Sequence, residues 1–329
     1  MASSFPERHW YRLSPVSLAL WPASLVFRFL VALRRLLYRL RILPSVKLPV
    51  PVIVVGNITA GGTGKTPLTL WLAAMLQQHG RKPGIVSRGY GGSAAVPMAV
   101  RGDSEPGVVG DEPLLLARAS ACPVWIGRDR VLASRGLLAA HPQCDVLVLD
   151  DGLQHYALAR DVEIALEDER GYGNGLMLPA GPLREPAGRQ VDAWVCNGGS
   201  VGAGANRFRM DLRGAILRQL CAPHDTLQAA VLAGKKLHAV AGIGNPRRFF
   251  DHLGRLGLAT VNHAFPDHYA YAAGELDFSE CEALLMTEKD AVKCTAFARA
   301  HWYALQVEAE LAPAFTEFIL AKLNGSKTA

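Results

Sequence analysis

One run of residues constrains this chain more than any other: VIVVGNITAGGTGKTPLTLWLAAML, starting at Val52. A strand predicted over 52–55 enters a glycine-rich turn. A helix follows, whose apolar residues Leu68, Trp71, Leu72, Met75 and Leu76 recur at helical spacing, and Gly80 stops it. Strand, turn and helix in this order, with Gly64-Lys65-Thr66 at the junction, form the context of a phosphate-binding loop. Glycines let backbone N–H groups curl around phosphate oxygens, and the helix N-terminus adds the positive end of its dipole. Thr59, Ala60, Gly61, Gly62, Thr63, Gly64, Lys65 and Thr66 are the residues expected to wrap the phosphates. Lys65 is expected to reach the terminal phosphates, and the Thr66 hydroxyl to ligate magnesium. The strict pattern G-x-x-x-x-G-K-[ST] has glycine where this chain has Thr59, so the loop's entry is expected to differ in shape.

A second motif follows. Val146-Leu147-Val148-Leu149 ends in Asp150-Asp151, an apolar strand delivering two carboxylates. In an open parallel sheet the carboxyl ends of the strands face the ligand crevice, where such an acid can hold magnesium. Further strands are predicted over 84–87, 123–127, 162–166, 193–196, 237–241, 259–261 and 284–287. Helices are predicted over 131–140 and 246–253, the latter stopped by Gly254, and the glycine-rich 198–206 stretch reads as a loop. Continuous apolar strands alternating with helices indicate α/β architecture: a P-loop parallel sheet followed by a second, smaller unit.

Composition removes several alternatives. The chain has 329 residues, enough for one or two domains, and is 50% hydrophobic and 19% charged, which excludes a disordered chain. Its six cysteines include no C-x-x-C pair and no zinc spacing, so they read as reduced thiols of a cytosolic protein. The net charge of +6 is concentrated at the start: residues 1–47 carry Arg8, Arg12, Arg28, Arg34, Arg35, Arg39, Arg41 and Lys47 against Glu7 alone. The body is therefore near neutral, which argues against a nucleic-acid partner.

Within this arm a two-faced helix is predicted over 23–43, ended by Pro44. Arg28, Arg35 and Arg39 fall within about 40° of each other on the helical wheel, with Leu25, Phe29, Leu33, Leu36, Leu37 and Leu40 opposite. Such a helix suits an anionic membrane surface, or alternatively packs on the body and exposes its arginines. The uncharged run 13–27 is short for a bilayer span and is broken by Pro15 and Pro22. A signal peptide fits poorly, since the arginines follow the apolar run.

The blocks GNITAGGTGKTP, SRGYGG, VGDEP, LDDGLQH, LPAGPLREP, AGIGNPRRFF, FPDHY and TEKDAVK run in order from Gly56 to Lys293. In these blocks the chain resembles the tetraacyldisaccharide 4′-kinase family of lipid A biosynthesis. The resemblance implies that ATP, with Mg2+, phosphorylates the 4′-hydroxyl of a tetraacylated glucosamine disaccharide 1-phosphate to give lipid IVA. The enzyme would be peripheral, at the cytoplasmic face of the bacterial inner membrane, and a monomer. The resemblance also implies two α/β/α lobes joined by a short two-stranded linker. The expected division is a membrane-associating arm (1–47), a P-loop lobe (48–160, with 308–329 returning to it) and a C-terminal lobe (161–307). Matched motif to motif, the base falls on Asp111, assisted by His268 from the second lobe. Lys65 completes the catalytic set, and Thr66, Asp150, Asp151 and Glu112 form the magnesium set. Arg88, Tyr90 and Arg184 are the substrate-binding candidates.

The residues alone leave plainer readings open. Asp111, before Glu112-Pro113, suits a helix N-cap, and Glu112 a first-turn acid. His268 suits a surface loop, and Arg88 and Tyr90 a simple turn. Arg247 and Arg248 begin a predicted helix, where positive charge opposes the dipole and hints at an anion partner. Three rival functions follow: a P-loop kinase with a soluble small-molecule acceptor, a GTPase-like switch, and a non-catalytic membrane-anchored module. The switch fails on its guanine motif, because Thr287-Glu288-Lys289-Asp290 has lysine one place off N-K-x-D.

Overall fold

The computed structural model describes residues 7–199, 201–202 and 204–325. The first six residues of the arm, Ser200 and Ala203 of the 198–206 loop, and the last four residues of the returning segment lie outside the described residues. The elements run α1 (Glu7–Trp10), α2 (Pro15–Arg39), β1 (Val52–Asn57), α3 (Lys65–Gln78), β2 (Pro83–Ser87), β3 (Met98–Val100), α4 (Pro106–Val109), α5 (Asp111–Ala119), β4 (Val124–Ile126), α6 (Arg130–Ala140), β5 (Val146–Leu149) and β6 (Val162–Asp168). They continue β7 (Ala193–Asn197), β8 (Arg207–Gln219), β9 (Thr226–Gln228), β10 (Leu237–Ala241), α7 (Pro246–Arg255), β11 (Thr260–Ala264), β12 (Ala283–Thr287), α8 (Glu288–Cys294), β13 (Trp302–Leu311) and α9 (Pro313–Gly325).

The strands join in the order β11-β10-β12-β13-β8-β7-β6-β1-β5-β2-β4-β3, with β9 added beside β8. Neighbours are parallel except at β3/β4, β8/β9 and β8/β13. β1 and β5 are buried at every position, as the apolar runs Val52–Val55 and Val146–Leu149 require of strands covered on both faces. On one face Ile53 and Val55 pack with Leu68, Leu72 and Leu76 of α3 and with Phe315, Ile319 and Leu323 of α9. On the other, Val52 and Val54 pack with Leu137 of α6 and with Phe27 and Val31 of α2.

The antiparallel pair β8/β13 bridges the two parallel regions, and its register shifts between Gln306 and Glu308. The 160/161 position falls between β5 and β6, which both pair with β1.

Helix α2 also differs from expectation. It starts at Pro15, where a missing N–H costs nothing, with Ser14 as N-cap, and it runs through Pro22. Pro22 forfeits one bond to the Leu18 carbonyl, and both residues are exposed. The helix ends at Arg39, not at Pro44, because Arg41 turns left-handed at φ 57° and Ile42 N–H bonds back to Leu37 O at 2.9 Å. A narrow stripe faces the body. Ser24 Oγ donates to Met177 O at 2.7 Å, Arg35 lies 3.9 Å from Glu185, and the Tyr38 and Tyr156 rings sit 5.7 Å apart. Leu18, Trp21, Leu25, Val26, Phe29, Leu30, Leu33, Leu36 and Leu40 remain exposed. The helix thus docks on the body while turning its leucines outward. By length and composition it could cross a membrane.

Candidate active site

The phosphate loop joins β1 to α3. Gly64 caps the helix at φ 100°, a conformation that costs glycine little. The Thr59 backbone is not left-handed, so nothing at that position requires glycine. Thr59 instead bridges Leu183, with Arg184 N–H donating to Ile58 O at 2.7 Å and Ala60 N–H to Pro182 O at 2.8 Å. The entry to the loop is thereby stitched to the segment that carries Arg184.

The two acids after β5 divide. Asp150 is fully buried and accepts from Thr69 Oγ1 at 3.3 Å and Ser87 Oγ at 3.4 Å. Burial, reinforced by the negative charge of Glu112, pushes its carboxyl up to about 7. Asp151 turns left-handed at φ 53°, and its Oδ1 lies 3.6 Å from both Lys65 Nζ and Arg184 Nη1. Burial acts to raise Asp151, but Lys65, Arg184 and Arg130 outweigh it and hold the carboxyl below its ordinary value. Lys65 Nζ also reaches Asn57 Oδ1 at 3.4 Å.

The Asp111–His268 pair, 157 residues apart in sequence, is formed. His268 Nδ1 lies 3.0 Å and 3.1 Å from the two Asp111 oxygens. Asp111 is not the cap of α5; Gly110 is, at φ 91°, and Asp111 occupies the first turn with its Oδ1 accepting from Glu112 N–H. Burial acts to raise the Asp111 carboxyl, but the His268 hydrogen bond and the Lys289 and Lys293 charges hold it below its ordinary value. Burial acts to lower His268, and the same hydrogen bond prevails, so the imidazole is raised. His268 itself is left-handed at φ 60° and packs its ring 4.8 Å from that of Tyr90. Lys289, at the start of α8, donates to Glu112 at 2.8 Å and to Asp267 at 3.0 Å, and lies 3.4 Å from His268 Nε2.

A cleft of about 240 Å³ runs between the two regions, lined by Gly62 to Pro67, Glu112, Asn197, Gly244, Arg248 and Lys289 among others. It brings the phosphate loop, Glu112 and the α7 N-terminus together. Arg184 stands beside Asp151 behind the loop. Arg88 is exposed after β2 and is not among the residues lining this cleft. Sequence reasoning gave no site role to Arg170, Asn57 or Asn197, and met Lys289 only as the misplaced lysine of a failed guanine motif. Lys289 and Asn57 lie inside quoted motif blocks, whereas Asn197 lies one residue past a predicted strand, with no pattern to mark it.

A glycine-rich loop closing on a buried acid and a lysine, with an Asp–His pair beside the same cleft, defines a P-loop protein of the phosphoryl-transfer type. A family model described as LpxK, tetraacyldisaccharide-1-P 4′-kinase, matches residues 16–324. The tetraacyldisaccharide 4′-kinase of Methylobacillus flagellatus is 51% identical over 325 residues, spanning 98% of this chain and 96% of that protein. The tetraacyldisaccharide 4′-kinase of Azoarcus sp. is 50% identical over 322 residues, spanning 96% and 94%. Among solved structures, the "apo" form of LpxK from Aquifex aeolicus in complex with ATP superimposes with a TM-score of 0.80 at 29% identity, covering 94% of this chain and 99% of that one. The chain belongs to the tetraacyldisaccharide-1-phosphate 4′-kinase family.

Proposed function

We propose that this chain transfers the γ-phosphate of ATP to the 4′-hydroxyl of a tetraacylated glucosamine disaccharide 1-phosphate, producing lipid IVA. The observation that carries this reading is family membership across nearly the whole chain. The loop amides and Lys65 hold the β- and γ-phosphates, and Arg184 adds charge from behind Asp151. Asp111 accepts the proton of the attacking hydroxyl, while His268 orients its carboxylate and shares the charge. Tyr90 backs the histidine ring, and Arg88, exposed after β2, is assigned to the anionic acceptor.

Thr66, Asp150, Asp151 and Glu112 offer hard oxygen donors suited to magnesium, and Asp151 Oδ1 is buried without a hydrogen-bond partner. Among the described residues no three His, Cys, Asp or Glu side chains form a preformed cage. That agrees with an ion held largely by phosphate and water, which neutralises phosphate charge when bound.

The outward leucines of α2 and its arginines support peripheral attachment at the cytoplasmic face of the inner membrane, where an acylated acceptor resides. Loop, Asp111 and His268 come from one chain, so a monomer suffices. We divide the body at the β8/β13 pair, with α9 returning to the first region. Incubation of purified protein with Mg-ATP and a panel of acceptors, followed by mass analysis, should show one added phosphate on the lipid disaccharide 1-phosphate alone. Asp111→Ala should abolish transfer while nucleotide still binds; a phosphorylated soluble acceptor, or turnover by the variant, would overturn the assignment.

A further inference from the structure

The phosphate loop is shaped from outside its own motif. Asn57 ends β1, Asp168 ends β6 and Asn197 ends β7, three strands that are neighbours in the sheet. These strand ends supply donors to three consecutive loop carbonyls. Asn57 Nδ2 donates to Gly61 O at 3.1 Å, and Asn197 Nδ2 to Thr63 O at 2.8 Å. Between them Arg170 Nη2 donates to Gly62 O at 2.6 Å. Asp168 fixes that guanidinium, accepting from Nε at 3.1 Å and 2.9 Å and from Nη2 at 2.7 Å. The remaining terminal nitrogen, Nη1, donates to Gly244 O at 3.1 Å, on the loop that leads into α7.

One planar fork therefore grips a carboxylate, the phosphate loop and the facing loop of the second region. The contact is close: a Cβ on Gly244 would lie 2.3 Å from the Gly62 nitrogen, so only glycine fits there. A trans peptide holds its C=O and the following N–H on opposite sides. Pinning the Gly62 and Thr63 carbonyls to Arg170 and Asn197 turns the Thr63 and Gly64 amides to the opposite face of the loop. Successive amides presented on one face form a phosphate-binding nest.

We propose that Arg170 is a positioning residue that sets these amides for the triphosphate and registers the Gly244 loop against them. This rests on the ATP reading above. Lysine would keep the charge beside Asp168 but lacks the fork that serves three partners at once.

The test compares wild type, Arg170→Ala and Arg170→Lys in steady-state kinetics and in direct binding of a non-hydrolysable ATP analogue. Both variants should raise the KM for ATP and the Kd of the analogue at least about tenfold, with the KM for the lipid acceptor within about twofold of wild type. Added guanidinium ion should recover part of the loss in Arg170→Ala. Unchanged ATP KM and analogue Kd, or a fall in kcat alone as for a smaller folded fraction, would overturn the proposal. If Arg170→Ala does not fold, Arg170→Lys carries the test. Wild-type enzyme that fails to bind the analogue would sink the functional reading as well, whereas tight wild-type binding with unaffected variants would sink only this inference.

Discussion

Asp111 and His268 each change the other's affinity for protons, and that makes their contact measurable by pH. Asp111 is held below 3.8, so its contribution to stability is present above that pH and lost as pH falls through its folded value. His268 is raised above 6.5, so its contribution is complete below 6.5 and is lost as pH rises through its folded value. The pair should therefore stabilise the fold most between pH 3.8 and 6.5. The Tm difference between wild type and His268→Gln, followed across pH, should be widest in that window and shrink on the alkaline side; a difference independent of pH would refute the ion pair. Single residues also show where sequence reading stops. Lys65 and Asp151 were legible because each follows a strand whose apolar run announces it. Asp111 and His268 came only through family resemblance, since nothing local links a helix's first turn to a loop 157 residues away. Arg170 was illegible because the partners that tie it to the loop, the Gly62 and Gly244 carbonyls, are backbone groups, which carry no sequence signature.

At the scale of elements, buried strands were easy to read and half-buried ones were not. β5 was placed to the residue, because VLVL is apolar throughout and bounded by polar residues. A two-stranded linker was expected from the resemblance, but β8, RFRMDLRGAILRQ, and β13, WYALQVEAEL, were not located, since an antiparallel ribbon mixes exposed and buried positions and never forms a long apolar run. Helix α2 shows the converse: it was expected over 23–43, yet it starts at Pro15, a position that suits proline, and runs on through Pro22 at the loss of one hydrogen bond. Its outward face gives a direct prediction. Phe29 is 64% and Leu33 39% exposed, so replacing both with Glu should change unfolding free energy by no more than about 0.5 kcal/mol. The same double variant should bind anionic lipid vesicles at least about tenfold more weakly in a sedimentation assay. Retained vesicle binding would detach α2 from the membrane reading.

For the whole molecule, the C-terminal helix fastens the end of the described chain to the first region. Phe315 of α9 is fully buried, with its ring 5.5 Å from Trp71 of α3 and 4.9 Å from Phe208 of β8. It thus ties the last helix to the phosphate-loop helix and to the bridging ribbon. Phe315→Ala should cost about 3–5 kcal/mol in denaturant unfolding, a loss large enough to lower the amount of soluble enzyme. A cost below about 1 kcal/mol would mean the site collapses freely around the missing ring.

The β8/β13 pairing has a topological corollary. Arg218 sits opposite Ala304 and Gln219 opposite Tyr303, so the chain departs for residues 220–301 and comes home through the same doorway. That segment is an excursion whose two ends are already fastened together, and its closure entropy is met by the ribbon and not by the cleft. Such an excursion could in principle be exchanged between relatives as a cassette, provided the newcomer brings its own glycine to meet the loop and its own histidine to meet Asp111.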